Sequence, residues 1–253
     1  MADPAPSASL ERLAPSWPAP LPAPQRVLVS RLRRIGDVIL SLPLVEALRA
    51  LFPEARIDFL AEEGPAQAAI GHPAIDRVLA FRGSPRGPLP APVSVLRALR
   101  AARYDWTIDL YGNPRSALLL AVTGAPVRVG PARRGRRHLY THVTPPVREP
   151  LSAVAHHLRA LEVLGIAAEA RPPRIYLTDE ERAAGAAVLA AALPPGPLRV
   201  GLHVGNRWSA KRWHPERFAA LARALPGIGA RAVVLAGPGE EPVAREVAER
   251  AGV

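Results

Sequence analysis

Short apolar runs alternate with segments of helical periodicity from residue 25 onward. Each run, such as Arg26–Ser30, has the length of one buried strand. Each intervening segment carries apolar residues three or four positions apart, which is the spacing of a helix that covers a sheet. Strands that alternate with helices form parallel, doubly wound sheets, so the sequence predicts an α/β fold. The predicted strands are 26–30, 57–60, 77–81, 106–110 and 127–130, and the predicted helices are 37–51, 64–71, 92–103, 114–123 and 151–164.

A second series of strands and helices begins near Thr178. Thr178 and Glu181 form a capping-box sequence ahead of an Ala-rich helix. The sequence therefore predicts two Rossmann-like domains, 25–175 and 176–253, after a disordered Pro/Ala-rich lead at 1–24. We expect the second domain to be incomplete, because only two strands are evident in it. The further predicted elements are strands at 198–203 and 232–236 and helices at 215–225 and 240–251.

The composition excludes several classes of protein. The chain has no cysteine, which excludes a disulfide scaffold, a cysteine zinc site and a thiol nucleophile. No apolar run approaches the roughly 18 residues that a membrane span needs. Hydrophobic residues make up 49% and charged residues 22%, so the chain is not disordered as a whole. The first residues lack the apolar region of a secretory signal, so we expect a cytoplasmic protein.

The net charge of +11 comes almost entirely from arginine, and Lys211 is the only lysine. A pI near 11.3 suggests a nucleic acid or an anionic surface as a partner. Arginine used in place of lysine weakens that suggestion, and an aromatic content of 5% offers few stacking platforms. We expect no nucleic-acid partner, and a basic nucleic-acid or anionic-surface binder remains as an alternative.

The first candidate site is the loop between the first strand and the first helix, which ends in Gly36 and Asp37. Ligands of doubly wound sheets bind at this edge. Gly36 allows a turn or the close approach of a ligand, and Asp37 could act as a general base on a hydroxyl group. The alternative is that Asp37 only caps the helix. The G-x-G-x-x-G dinucleotide fingerprint is absent.

Two further strand-to-helix turns carry residues suited to a nucleotide. Lys211 lies between a strand and a helix, where a compact cation and the helix end favour a diphosphate. The alternative for this turn is a solvated basic loop. In the next turn, glycines permit close approach and a carboxylate could accept hydrogen bonds from ribose hydroxyls. The other residues of the two turns are Asn206, Arg207, Gly237, Gly239 and Glu240.

A cluster of arginines could hold an anionic acceptor through bidentate contacts, or could form a solvated charged loop. His156 and His157 follow it on a helix, but adjacent residues face different directions, so no metal site is predicted. The clustered arginines are Arg133, Arg134, Arg136 and Arg137.

Taken together, these segments resemble the heptosyltransferase family. The resemblance rests on RVLVSRLRRIGDVILSLPLVEALRALFPEARIDFLAEE, YDWTIDLYGNPRSALLLAVTGAPVRVG, LHVGNRWSAKRWHPERFAALARAL and VVLAGPGEE, in that order. It implies a GT-B fold and an inverting transfer of heptose from ADP-heptose to the lipopolysaccharide inner core, without a cofactor or a metal. It also implies an anionic lipid-linked saccharide acceptor, and so peripheral contact at the inner face of the inner membrane. By the same resemblance Asp37 is the base, Lys211 binds the donor phosphates, and 236–240 lies near the nucleoside.

The sequence departs from the family pattern at three places. Arg33, Arg34 and Ile35 stand where many relatives have small hydroxyl residues, and Asn206 and Arg207 stand where many have Thr or Ser. The later Asp-x-Gly-Pro-x-His-like segment, which contributes to the donor site of the family, does not occur. A truncated, non-catalytic remnant of the family is therefore a further alternative.

Overall fold

The structure is a computed structural model that describes residues 21–82, 91–133, 135–147, 149–193, 198–206 and 208–252. Residues 1–20, most of the predicted disordered lead, lie outside the described part. The chain divides into two compact units, one ending at Tyr176 and the other beginning at Leu177. Each unit has its own sheet of parallel strands.

The first unit contains a six-stranded, fully parallel sheet in the order β3-β2-β1-β4-β5-β6. This order is that of the doubly wound dinucleotide-binding folds. The predicted α/β class is thus confirmed, and each strand predicted for this unit is present. The short strand β6 was not predicted, because its three residues are only half-buried and give no apolar run. The strands are β1 (Arg26–Ser30), β2 (Arg56–Glu62), β3 (Arg77–Phe81), β4 (Trp106–Asp109), β5 (Val127–Pro131) and β6 (His142–Thr144).

The helix predicted at 37–51 is two helices, so that prediction was wrong in its continuity. The break lies at Leu40 and Ser41, where the Ser41 hydroxyl donates a hydrogen bond to the Val38 carbonyl. Pro43 follows in the first turn of the second helix, where its missing N–H costs nothing. The helices of this unit are α1 (Ile35–Ile39), α2 (Leu42–Leu51), α3 (Glu63–Ala66), α4 (Val93–Ala101), α5 (Pro114–Thr123) and α6 (Ala153–Glu162), with short 3₁₀ helices at Gln67–Ala69 and Arg137–Leu139.

Buried side chains cover both faces of this sheet. One face packs Trp106 against Phe52 edge-on, with ring centroids 5.5 Å apart, under α2 and α6. The other face packs Leu28 and Leu60 beneath Leu99 of α4 and the buried leucines of α5. Strands covered on both sides need near-continuous apolar sequences, which is why these runs could be recognised in the sequence.

The strand order reverses between β1 and β4, and this reversal locates the candidate site. Ser30 at the end of β1 lies beside Asp109 at the end of β4. In open parallel sheets, ligands bind outside the carboxyl ends of the strands at such a reversal. The loops that follow Ser30 and Asp109 are therefore the first place to look for chemistry.

The second unit pairs two parallel strands, β7 and β8, among the described residues. The capping box at Thr178 and Glu181 is confirmed, because both of its reciprocal hydrogen bonds are present. The helix that it starts, α7, buries none of its described residues. The elements are α7 (Asp179–Ala192), β7 (Leu198–His203), a 3₁₀ helix (Ser209–Lys211), α8 (Pro215–Ala224), a 3₁₀ helix (Leu225–Ile228), β8 (Ala230–Leu235) and α9 (Glu241–Ala251).

Among the helices that the structure describes, none has both the length and the apolar character needed to cross a bilayer.

Replacing Gly130 with alanine should destabilise the first unit by about 1–3 kcal/mol, as overpacking does. The added methyl carbon would overlap the Tyr140 ring, whose hydroxyl donates a 2.6 Å hydrogen bond to Asp109. Urea denaturation measures the effect. Gly64→Ala is the control, since its methyl group would meet nothing within 4 Å. If Gly130→Ala unfolded at the same urea concentration as the wild type, the close packing of Gly130 against the Tyr140 ring would be contradicted.

Candidate functional site

Asp37 lies at the carboxyl edge of the first sheet and forms an ion pair with Arg31. A terminal nitrogen of the Arg31 guanidinium is 2.5 Å from Asp37 Oδ2. Asp37 is the third residue of α1, and the cap position is held by Arg34, so Asp37 is not the helix cap. Its side chain is 32% exposed, which leaves the carboxylate open to a ligand.

Arg31 is held far more tightly than its partner. Its side chain is only 11% exposed, and its guanidinium lies over the Tyr111 ring, 4.6 Å from the centroid. Burial lowers the pKa of Arg31, and the negative charge of Asp37 opposes that shift. A buried cation requires a negative partner, so the Arg31 guanidinium fixes where the Asp37 carboxylate lies.

The backbone turn ahead of α1 differs from the prediction. Gly36 was expected to allow the turn, but Arg34 has the left-handed backbone, with a φ of 67°. A side chain at Gly36 would meet nothing within 4 Å. Gly36 is therefore not required for the turn, and it leaves open space beside Asp37 into which a ligand can come close.

Asp109 closes the turn after β4 and is fully buried. Its Oδ1 accepts hydrogen bonds from the N–H groups of Tyr111 and Gly112, both at 2.9 Å. Its Oδ2 accepts the Tyr140 hydroxyl at 2.6 Å. Burial raises the pKa of Asp109 despite these hydrogen bonds, and burial also raises the pKa of Tyr140. Asp109 thus holds Tyr111, and Tyr111 in turn lies against Arg31.

A cavity of about 290 Å³ opens beside Asp109, between the ends of β5 and β6 and the helix α6. Its cationic lining comes from Arg133 and Arg159, and His156 also faces it. Burial and the nearby Arg159 lower the pKa of His156, which therefore stays neutral near pH 7. Neither His156 nor Arg159 was predicted to be a binding residue, although their three-residue separation puts them on one face of a helix.

The predicted arginine cluster is only partly brought to this cavity. Arg133 lines the cavity, whereas Arg137 lies exposed on a 3₁₀ helix. Arg136 is half-buried, and its Nε has no hydrogen-bond partner among the described residues. Arg134 lies outside the described residues.

In the second unit, Lys211 ends the 3₁₀ helix that precedes α8. It is exposed, and within the described part of the chain its side chain has no ion-pair partner. The loop before Lys211 is held in shape by two hydrogen bonds to Asn206. The Asn206 side chain accepts the Trp208 N–H at 2.9 Å, and Arg212 Nε donates to the Asn206 carbonyl at 2.6 Å. Arg207 lies outside the described residues.

Glu240 joins the turns that follow β7 and β8. Its Oε2 accepts the Gly237 N–H at 3.0 Å. The carboxylate also occupies the space above Gly205, where it would overlap any Cβ atom. Gly239 has a φ of 84°, so it needs the freedom of glycine. Asn206, Lys211, Gly237, Gly239 and Glu240 therefore all lie in turns at the same edge of the second sheet.

In the described residues, no group of three or more histidine, aspartate or glutamate side chains has a geometry that could hold a metal ion.

Comparison with known proteins identifies the family. The sequence profile of glycosyltransferase family 9 (heptosyltransferase) matches residues 93–252, more than half of the chain. The chain belongs to glycosyltransferase family 9. The resemblance stated from the sequence is confirmed, and so is a fold of the GT-B type.

The family 9 chain is similar to proteins that are longer than itself. It is 34% identical over 102 residues to lipopolysaccharide heptosyltransferase 1 of Escherichia coli K12, an alignment that covers 38% of this chain and 32% of the relative. The family 9 glycosyl transferase structure of Veillonella parvula is 26% identical, with a TM-score of 0.78, 89% of this chain covered and 66% of that one. E. coli heptosyltransferase WaaC with ADP-2-deoxy-2-fluoro heptose is 25% identical, with a TM-score of 0.63, 88% of this chain covered and 73% of that one. The aligned segment thus spans about a third of the length of the first relative.

Asp109→Asn should leave the protein at least as stable as the wild type near pH 7. The raised pKa of Asp109 means that the folded state holds the proton more tightly, so its stabilising contribution is full in acid and is lost as the pH rises. Asparagine keeps the shape and does not titrate. The melting temperature of the wild type should therefore rise relative to that of the variant as the pH falls toward about 4. A wild-type advantage that grows with rising pH would contradict this assignment.

Proposed function

We propose that this chain transfers a heptose from ADP-heptose to an acceptor of the lipopolysaccharide inner core, with inversion and without a metal ion. The observation that carries the proposal is the Asp37 carboxylate, which lies half-exposed at the strand-order reversal of a family 9 fold. The known ligand of a similar structure, E. coli WaaC with ADP-2-deoxy-2-fluoro heptose, supports the choice of donor.

Asp37 serves as the general base in this proposal. An acceptor hydroxyl gives its proton to a carboxylate oxygen of Asp37 while its own oxygen attacks the anomeric carbon. The bond from that carbon to the diphosphate breaks, and ADP leaves with the electron pair. Arg31 pairs with Oδ2 at 2.5 Å and so holds the carboxylate in a fixed position. Because one displacement occurs, the anomeric configuration inverts.

Lys211 stabilises the leaving group. Negative charge develops on the diphosphate as the bond breaks. Lys211 is an exposed cation with no ion-pair partner in the described residues, so it can stabilise that charge. Hydrogen bonds made by Asn206 and Arg212 fix the backbone of the loop that carries Lys211. Gly237 and Gly239 admit the nucleotide, and the Glu240 carboxylate at the same edge accepts a hydrogen bond from a ribose hydroxyl.

The cavity beside Asp109 receives the acceptor. Arg133 and Arg159 supply positive charge, and neutral His156 supplies a hydrogen-bonding group, which together suit the acid sugars or phosphates of a lipid-linked saccharide. With such an acceptor the protein works in the cytoplasm, in peripheral contact with the inner face of the inner membrane. The likeness to heptosyltransferases supports this kind of partner.

Asp37→Asn should lower the rate of transfer by about 10²–10⁴, the usual contribution of a general base. Affinity for ADP, measured by calorimetry, should not change, because the proposed phosphate contacts come from the second unit. Glu63→Gln is the control, since Glu63 is an exposed carboxylate that directly follows β2 at the same sheet edge. Near-normal turnover of Asp37→Asn would remove Asp37 as the base.

Lys211→Gln should weaken ADP binding by about 1.5–3 kcal/mol, the range for a hydrogen bond to a charged group. The rate of transfer should also fall, because the leaving diphosphate loses its cation. Calorimetric titration with ADP and with adenosine separates the phosphate effect from the nucleoside effect. Arg217→Gln on α8 removes the same charge from an exposed position and should bind ADP normally. Equal ADP affinity for Lys211→Gln and the wild type would contradict the role of Lys211.

A further inference from the structure

The outer surface of α4 and α5 carries apolar side chains that the proposed reaction does not use. Leu118 and Val122 of α5 are 46% and 36% exposed, and Val93 of α4 is 47% exposed. Leu118 and Val122 are four positions apart and share one helix face. Three aliphatic side chains are thus exposed on two helices that contact one another.

Arginines flank these apolar side chains. Arg97 is exposed and follows Val93 by one helical turn. Arg100 reaches from α4 to the carboxyl end of α5, where it donates a 3.1 Å hydrogen bond to the Thr123 carbonyl beside Val122. Exposed Arg137 lies on the 3₁₀ helix that contacts α5. We name the surface formed by Val93, Arg97, Arg100, Leu118 and Val122 the α4–α5 surface.

The neighbourhood of the α4–α5 surface is free of acidic residues in the sequence. Residues 91–104 and 110–147 contain no aspartate or glutamate. Glu62 pairs with Arg115 at the amino end of α5. Positive charge on the surface is therefore little compensated, and apolar side chains lie within it.

We infer that the α4–α5 surface binds an anionic phospholipid bilayer, with Leu118 and Val122 entering the headgroup region. Each arginine near an anionic membrane adds to attraction, and each buried aliphatic group adds hydrophobic binding. The surface offers aliphatic rather than aromatic side chains, which favours a bilayer over the stacked bases of a nucleic acid. A second copy of the same surface would bring like charges together.

The α4–α5 surface lies on the face of the sheet opposite α6. Helix α5 begins directly after the turn that Asp109 closes, at the carboxyl edge of the sheet. Val122 lies about 12 Å along the helix from that end, at 1.5 Å per residue. A membrane bound there would anchor the first unit and leave the cavity beside α6 uncovered. The use of such an anchor, but not the binding itself, rests on the proposed function.

Sedimentation with sucrose-loaded vesicles tests the inference. We expect the protein to bind vesicles that contain about one-third phosphatidylglycerol at about 0.1 M salt and to bind phosphatidylcholine vesicles weakly. Leu118→Ser with Val122→Ser should lower the partition coefficient about tenfold, and Arg97→Gln about fivefold. The controls are Ile70→Ser, another half-exposed aliphatic residue, and Arg182→Gln, which removes an exposed charge from α7 of the second unit.

Three results would overturn the inference. The first is vesicle binding by the double serine variant that equals that of the wild type. The second is an equal loss of binding in Arg97→Gln and Arg182→Gln, which would mean that diffuse charge alone causes the binding. The third is tighter binding to a single-stranded oligonucleotide than to anionic vesicles. Vesicle binding needs no transfer, so it can hold even if Asp37 is not the base. The double serine variant should also retain transfer to a water-soluble acceptor, and loss of that transfer would place the surface in the acceptor site instead.

Discussion

The buried guanidinium of Arg31 is the charge around which the first unit arranges its candidate site. Only 11% of its side chain is exposed, so leaving it without a negative partner would cost several kcal/mol. Asp37 supplies that partner, and the Tyr111 ring covers the cation. Tyr111 is in turn held by Asp109, whose other oxygen takes the Tyr140 hydroxyl. The position of the proposed base thus depends on a network that extends from β1 to the residues just before β6.

Many of the arginines that make the chain so basic are engaged with the protein's own backbone. Arg26 donates to the Ala102 carbonyl, Arg128 to Leu139 and Arg223 to Arg250. Carbonyls at helix ends lack partners within the helix, and a cation is favoured there by the helix dipole. Charge used in this way is not displayed to a nucleic acid. The net charge of +11 therefore overstates the surface available for an anionic polymer, and the α4–α5 surface matters because its cations surround exposed aliphatic groups.

The sheet could be predicted because strands buried on both faces need continuous apolar runs. The order of elements also placed Asp37 and Lys211 just after a strand, at the carboxyl edge of each sheet, and in the structure Asp37 lies in the first turn of α1 and Lys211 in a 3₁₀ helix. The break in the helix predicted at 37–51 was missed, because apolar periodicity continues across Leu40 and Ser41. The turn that aims Asp37 could not be foreseen either, since it relies on a left-handed Arg34 rather than on Gly36. Contacts between distant residues, such as Glu240 above Gly205, become visible only in the folded chain.

The anomeric configuration of the product tests the proposed role of Asp37 most directly. In the proposed reaction, Asp37 takes the proton of the attacking hydroxyl in a single displacement. Nuclear magnetic resonance of the disaccharide formed from ADP-heptose and a soluble acceptor reports that configuration. We expect it to be inverted relative to the donor. A retained configuration would mean that the sugar passes through a second displacement, and it would contradict a role for Asp37 as the general base of a one-step transfer.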